Sequence, residues 1–187
     1  MTSNSPRIVV VGAGIIGLSS AIELQLLFPG KVIPIIASAF SPSITSDVAG
    51  GIWRPYVSKF TMPGLEREVL CAAFRRFTEI AKNQECGIIR QSGFDVTRNP
   101  AAPAPAFMEF VRGLRELSKE EVKEFGEEYA KGWFYSTYGI QTTVFLKYLT
   151  NKFLANGGKF EQRELKTLDD LNDEYDIVVN CSGLGAR

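Results

Sequence analysis

Apolar and polar positions follow two periods along this chain. Ile8–Val11 is an unbroken β-branched run, the pattern of a strand buried on both faces of a parallel sheet. Behind it Ile15, Ile16, Leu18, Ala21, Ile22 and Leu26 keep helical spacing until Pro29–Gly30 stops the helix. KVIPIIA, Lys31 to Ala37, is a second apolar strand, and Pro34 within it points to an edge or a bulge. Strand, helix and strand make a βαβ unit.

Downstream the pattern changes. Ser38 to Asp47 is rich in Ser, Thr and Pro and reads as loop. Leu65, Val69, Ala73, Phe77 and Ile80 mark the buried stripe of a long helix that carries charge on its other face. GIIRQSGFDVTRNP alternates like the two strands of a hairpin, and NPAAPAPAF is expected as a surface connection. Ser118 with Glu121 forms a capping box that opens a short acidic helix. GWFYSTYGI is aromatic and β-branched, hence a strand. Phe145, Leu146, Leu149 and Phe153 form another helical stripe, ended by Gly157–Gly158. KFEQREL returns as a strand, and Ile177–Cys181 is a buried strand that runs straight into a glycine turn. This order predicts an α/β fold: a Rossmann-like nucleotide-binding sheet interrupted by a mainly antiparallel insertion. The expected parts are 1–60 for the first stretch of the sheet domain, 61–150 for the mixed helical and antiparallel insertion, and 151–187 for the returning strands.

The glycines of GAGIIG have separate tasks. Gly12 makes the tight turn out of the strand, Gly14 lets backbone approach a pyrophosphate, and Gly17 lets the helix sit close on the sheet. Helix N-terminal amides then stabilise the phosphates. The usual companion, an acid ending the second strand to grip the ribose, is missing: that strand ends at Ala37, Ser38 and Ala39, with no acid between Glu23 and Asp47. The first basic residue after Lys31 is Arg54, so no nearby arginine holds a 2′-phosphate either. NAD and NADP both lose support, and an NAD-dependent dehydrogenase becomes a distant alternative. Hydroxyls of SPSITS and backbone must hold the ligand. Together with DIVVNCSGLG, an apolar strand ending in small residues, the motif makes FAD the leading ligand.

Composition narrows the chemistry. With 45% hydrophobic and 22% charged residues, the chain reads as a globular protein of one domain or slightly more. Lys+Arg 21 balances Asp+Glu 21, so neither nucleic acid nor an anionic membrane is indicated as a partner. The complete lack of histidine removes His-based triads, His bases and nearly every zinc site. No metal ligand set is expected. Cys71, Cys86 and Cys181 are odd in number and lack ligand spacing, which favours a reducing compartment. Arg7 followed by Ile8–Leu18 imitates a signal peptide, but its glycines and the continuation into Glu23 mark it as fold.

VVVGAGIIGLSS, TSDVAGGIWRPY, GWFYSTY and DIVVNCSGLGAR resemble the D-amino-acid oxidase and D-aspartate oxidase family of FAD enzymes, across nearly the whole chain. The resemblance implies that Ala13, Gly14, Ile15 and Ile16 lie along the pyrophosphate. It implies that Thr45 and Ser46 serve the phosphates, that Gly51 and Ile52 backbone faces the flavin ring, and that Leu165 backbone meets the adenine end. Ser182 would sit beside the cofactor. Gly12, Gly17, Ala37 and Ser38 are counted with them as cofactor-binding positions. Ser38 and Ala39 stand where family members often carry an acid and a basic residue.

The implied reaction is oxidative deamination of D-amino acids by FAD and O₂, giving 2-oxo acid, ammonia and peroxide, with no protein base and no catalytic side chain assigned. Arg54 has two readings: a grip on an acidic substrate side chain, or a surface arginine. The D-amino-acid oxidase type is the leading reading, with D-aspartate oxidase as the alternative and a non-catalytic nucleotide-binding module as the alternative of another class; neutral and acidic D-amino acids both stay open as substrates. The family is nearly twice this length, so the chain is expected to be an N-terminal fragment, inactive alone and holding FAD weakly if at all, of a parent that could form a homodimer. The resemblance implies a peroxisomal address outside this chain, since GAR is not a targeting tripeptide; otherwise the expectation is cytoplasmic.

Overall fold

The computed structural model describes residues 6–55 and 65–186. The expected boundary between residues 60 and 61, and Tyr56 of the GGIWRPY motif, lie outside the described residues. In chain order the elements are β1 (Ile8–Val11), α1 (Ile15–Leu27), β2 (Pro34–Ala37), α2 (Leu65–Ile80), β3 (Ile88–Thr97), β4 (Arg112–Glu116), α3 (Lys119–Lys123), β5 (Lys131–Ile140), α4 (Thr142–Ala155), β6 (Lys159–Gln162) and β7 (Ile177–Asn180). They form two compact units, Met1–Gly50 with Thr142–Arg187, and Gly51–Gln141.

The first unit holds a four-stranded parallel sheet in the order β6-β2-β1-β7. β1 is central and buried along its whole length, as an unbroken run of Ile and Val requires. β2 is an interior strand too, so Pro34 marks neither an edge nor a bulge. It is the first residue of the strand, where a missing N–H leaves the ladder intact. β7 departs from the buried strand expected of Ile177–Cys181. It stands at the sheet edge with Ile177 exposed and its neighbours half-buried, because among the described residues only β1 pairs with it. In α1 the buried face is Gly17, Leu18, Ala21, Ile22 and Gln25, whereas Ile16 and Leu26 face outward. Gln25 ties α1 to α4 by donating from Nε2 to the Phe153 carbonyl at 3.0 Å. The expected stripe of α4, Phe145, Leu146, Leu149 and Phe153, is buried.

An ion pair closes the β1–β7 seam at its start. Arg7 Nη2 lies 2.8 Å from Asp176 Oδ1, and Arg7 N donates to Asp176 Oδ2 at 2.7 Å. The guanidinium and amide of Arg7 hold the Asp176 carboxyl down at about 2.

The second unit is a three-stranded antiparallel sheet, β3-β5-β4, with β5 in the middle. The expected hairpin over GIIRQSGFDVTRNP is instead one continuous ten-residue strand, β3, paired throughout with β5. Gly93 stays extended without a positive φ and remains paired with Tyr135. The buried face of α2 is also rotated from the expected stripe: Leu70 is buried while Leu65 and Val69 are exposed. The reason is aromatic. Phe74 packs on Trp53 at 4.8 Å and on Tyr138 at 5.3 Å between ring centroids, and these contacts set the rotation. The Ser118–Glu121 capping box forms, with the Glu121 amide donating to Ser118 Oγ at 3.2 Å and the Ser118 amide to Glu121 Oε2 at 2.9 Å.

Asp176 is depressed in the folded state, so its contribution is complete above the ordinary carboxylate range and is lost as pH falls toward 2. Asp176→Asn should therefore lower the urea midpoint at neutral pH and flatten its decline in acid relative to wild type. A Cβ on Gly17 would overlap the Gly12 carbonyl, whereas one on Gly93 meets nothing. Gly17→Ala should cost roughly 1–3 kcal/mol or more, while Gly93→Ala should be neutral or slightly stabilising, both measured by urea unfolding.

Candidate cofactor site

β1 ends at Val11 and Gly12 turns the chain with φ +105, a conformation closed to residues with a Cβ. A Cβ there would also overlap the Cys181 carbonyl, as one on Gly17 would overlap Gly12. The first turn of α1 thereby rests directly on the C-terminal ends of β1 and β7. Its leading amides have no carbonyl one turn behind them. The Leu18 amide makes the first intrahelical bond, to Gly14 at 3.0 Å, and the Ile15 amide donates to Ser46 Oγ at 3.1 Å. Ser46 thus caps α1 from a distant segment, because Gly14 at the N-cap has no side chain to do so.

The segment that carries Ser46 is a short 3₁₀ turn, Thr45–Val48. Asp47 holds its shape by accepting from Ser41 Oγ at 2.5 Å and from the Ile44 amide at 3.0 Å. Thr142, the first residue of α4, donates its hydroxyl to the Asp47 carbonyl at 2.8 Å. A third wall follows β7. Asn180 Oδ1 accepts from both the amide and the hydroxyl of Ser182, at 3.1 and 2.6 Å, which fixes the turn after the strand.

The fourth wall joins the ends of β2 and β6. The Arg163 amide donates to the Ala37 carbonyl at 3.0 Å and Gln162 Nε2 to the Ser38 carbonyl at 3.1 Å. Arg163 Nη1 bonds Glu174 at 2.9 Å and lies 3.4 Å from Glu161, so its charge is balanced; the bond to Glu174 first of all raises its pKa. Its Nε and Nη2 are buried without a partner among the described residues. Leu165 packs on the cluster of Val9, Val11, Ile36 and Leu171.

These walls line a half-open cleft of about 830 Å³, within the usual range for small-molecule sites. Gly12, Ala13, Gly14, Ile15 and Ile16 line it from the β1–α1 turn, and Ala37, Ser38, Thr45 and Ser46 from the β2 end and the loop beyond it. Leu165 and Ser182 complete the predicted residues that it gathers. Gly17 serves it from behind, as the close contact with Gly12. The cradle fits a diphosphate: amide donors at a helix N-terminus, hydroxyls opposite, and small residues that keep side chains out of the way.

Gly51, Ile52 and Arg54 belong to the second unit. The Gly51 carbonyl accepts from the Ile140 amide at 2.6 Å, and Ile52 bridges Gly139. Arg54 donates from Nε and Nη2 to Asp95 Oδ2 at 3.2 and 2.6 Å and stacks over Phe107. Sequence reasoning missed Asp47, Thr142 and Asn180 as supports, and Arg163 and Glu164 as lining. The Ile44–Asp47 spacing was a readable turn signal; the others come together only through the sheet order.

A family model described as FAD dependent oxidoreductase, DAO, matches residues 7–187. The chain is 32% identical over 188 residues to D-aspartate oxidase from Homo sapiens, covering 98% of this chain and 55% of that protein. It is 32% identical over 184 residues to D-amino-acid oxidase from Rubrobacter xylanophilus, covering 97% and 53%. The chain spans about half the length of the curated relatives it matches. Among solved structures, L-proline dehydrogenase from P. horikoshii superposes with a TM-score of 0.62 at 19% identity, covering 95% of this chain and 53% of that one. Glycine oxidase from Bacillus cereus ATCC 14579 gives 0.58 at 18%, covering 87% and 47%.

Ser46→Ala removes the only side-chain acceptor on the Ile15 amide among the described residues. It should destabilise the chain by about 0.5–2 kcal/mol, the usual cost of a lost helix cap, as read from urea unfolding without ligand.

Proposed function

The chain belongs to the DAO family of FAD dependent oxidoreductases, and from that premise we propose that its first unit binds FAD in the service of an oxidase acting on D-amino acids. The observation that carries the reading is the convergence of the α1 amides, the Ser46 turn and the Ser182 turn on one cavity. In this reading the backbone from Ala13 to Ile16 and the dipole of α1 hold the diphosphate. Thr45 and Ser46 add hydroxyl contacts, Ser182 borders the cofactor, and Leu165 meets the adenine through its backbone. Bound FAD would supply the redox chemistry of the reaction, a two-electron acceptor for the substrate α-carbon that O₂ can reoxidise. A chain without histidine suits that chemistry, because no protein base is required of it.

Neutral D-amino acids are the favoured substrates. The Arg54 guanidinium is engaged with Asp95, and a substrate carboxylate would have to compete with that half-buried pair. D-aspartate is the second reading, supported by the likeness to a D-aspartate oxidase over almost the whole chain.

The test is titration of the chain with FAD, NAD and NADP, followed by peroxide assays with D-alanine, D-proline and D-aspartate on a protein that carries it at the full length of the relatives. Quenched flavin fluorescence without nicotinamide binding is expected, with more peroxide from D-alanine or D-proline than from D-aspartate. The reverse order favours the acidic substrate. Flavin binding with no peroxide from any D-amino acid favours a non-catalytic module, and failure to bind FAD overturns the proposal.

A further inference from the structure

The end of β2 lacks the carboxylate that ordinarily grips the adenosine ribose of a bound dinucleotide: Ala37, Ser38 and Ala39 stand there. The sheet order supplies a neighbour. β6 runs parallel beside β2, with Ala37 registered on Gln162, and the Arg163 amide on the Ala37 carbonyl keeps the two strand ends together. The next residue along is Glu164, which lines the same cavity as Ala37, Ser38 and Ala39. Its side chain is exposed and makes no ion pair or hydrogen bond among the described residues. Arg163 beside it is already balanced by Glu161 and Glu174, so it does not neutralise Glu164.

From this placement the geometry points to Glu164 as the residue that recognises the ribose cis-diol of the adenosine half, in place of the absent acid on β2. The inference rests on the dinucleotide reading of the cavity. The physical reason is charge-assisted hydrogen bonding: one carboxylate accepts from both hydroxyls of a diol, and repels a phosphate placed on either. Lys166, which lines the same wall, is the competing group and would favour a 2′-phosphate instead. The acid lies two residues past the end of β6, far along the chain from β2, which is why searching the second strand alone finds no ribose grip.

The experiment titrates the full chain, as wild type and as Glu164→Gln, with ADP, 2′,3′-dideoxy-ADP and 2′-phospho-ADP-ribose by calorimetry. Wild type should prefer ADP to the dideoxy analogue by about tenfold, and bind the 2′-phosphate compound more weakly than ADP. Glu164→Gln should shrink the ADP preference to about twofold and leave dideoxy-ADP affinity unchanged. Its melting temperature should match wild type, since Glu164 has no partner to lose. An equal preference in both proteins overturns the assignment, as does a wild type that ignores the hydroxyls. Tighter binding of the 2′-phosphate compound overturns it in favour of Lys166. A wild type that binds neither ADP nor FAD overturns the dinucleotide reading itself.

Discussion

Everything at the cofactor site depends on a contact that excludes a side chain. Gly17 lies against the Gly12 carbonyl, and Gly12 against the Cys181 carbonyl, with no room for a Cβ at either point. Those two approaches press the start of α1 onto the ends of β1 and β7. The helix amides then open toward the space beyond the strands, where an anion gains both their hydrogen bonds and the helix dipole. Burial of β1 on both faces makes the platform rigid, and the Arg7–Asp176 pair locks its far end.

Around that contact the walls are held by groups that do not themselves line up in sequence. Asp47 shapes the loop that presents Ser46, Thr142 anchors that loop from α4, and Asn180 orders the turn at Ser182. Such supports place donors before a ligand arrives, so less ordering entropy is lost on binding. The second unit has its own logic: β5 is shared by β3 and β4, and Trp53 is sealed by Phe74. Arg54 is part of that packing through Asp95, which gives it a structural partner regardless of substrate.

The parallel unit was largely legible in the sequence because its signals are local. A β-branched run, a glycine turn and a helical stripe each lie within a few residues, and Ser118 with Glu121 is a self-contained cap. What stayed hidden is non-local. Periodicity cannot tell that aromatic packing rotates α2 toward Leu70 and Phe74, or that β3 runs unbroken through Gly93. Pro34 misled for the opposite reason, since a proline tolerated at the first residue of an interior strand looks like one that needs an edge. Glu164 and Arg163 reach the cavity only because β6 pairs with β2.

The central claim is that the amides opening α1 receive the diphosphate of a flavin dinucleotide. Its most direct test is amide NMR of the full chain titrated with FAD. The account predicts that the largest shifts in the first unit fall on the amides of Gly14, Ile15 and Ile16 and on Ser182. Saturable FAD binding that leaves those amides unshifted and perturbs another surface would contradict it.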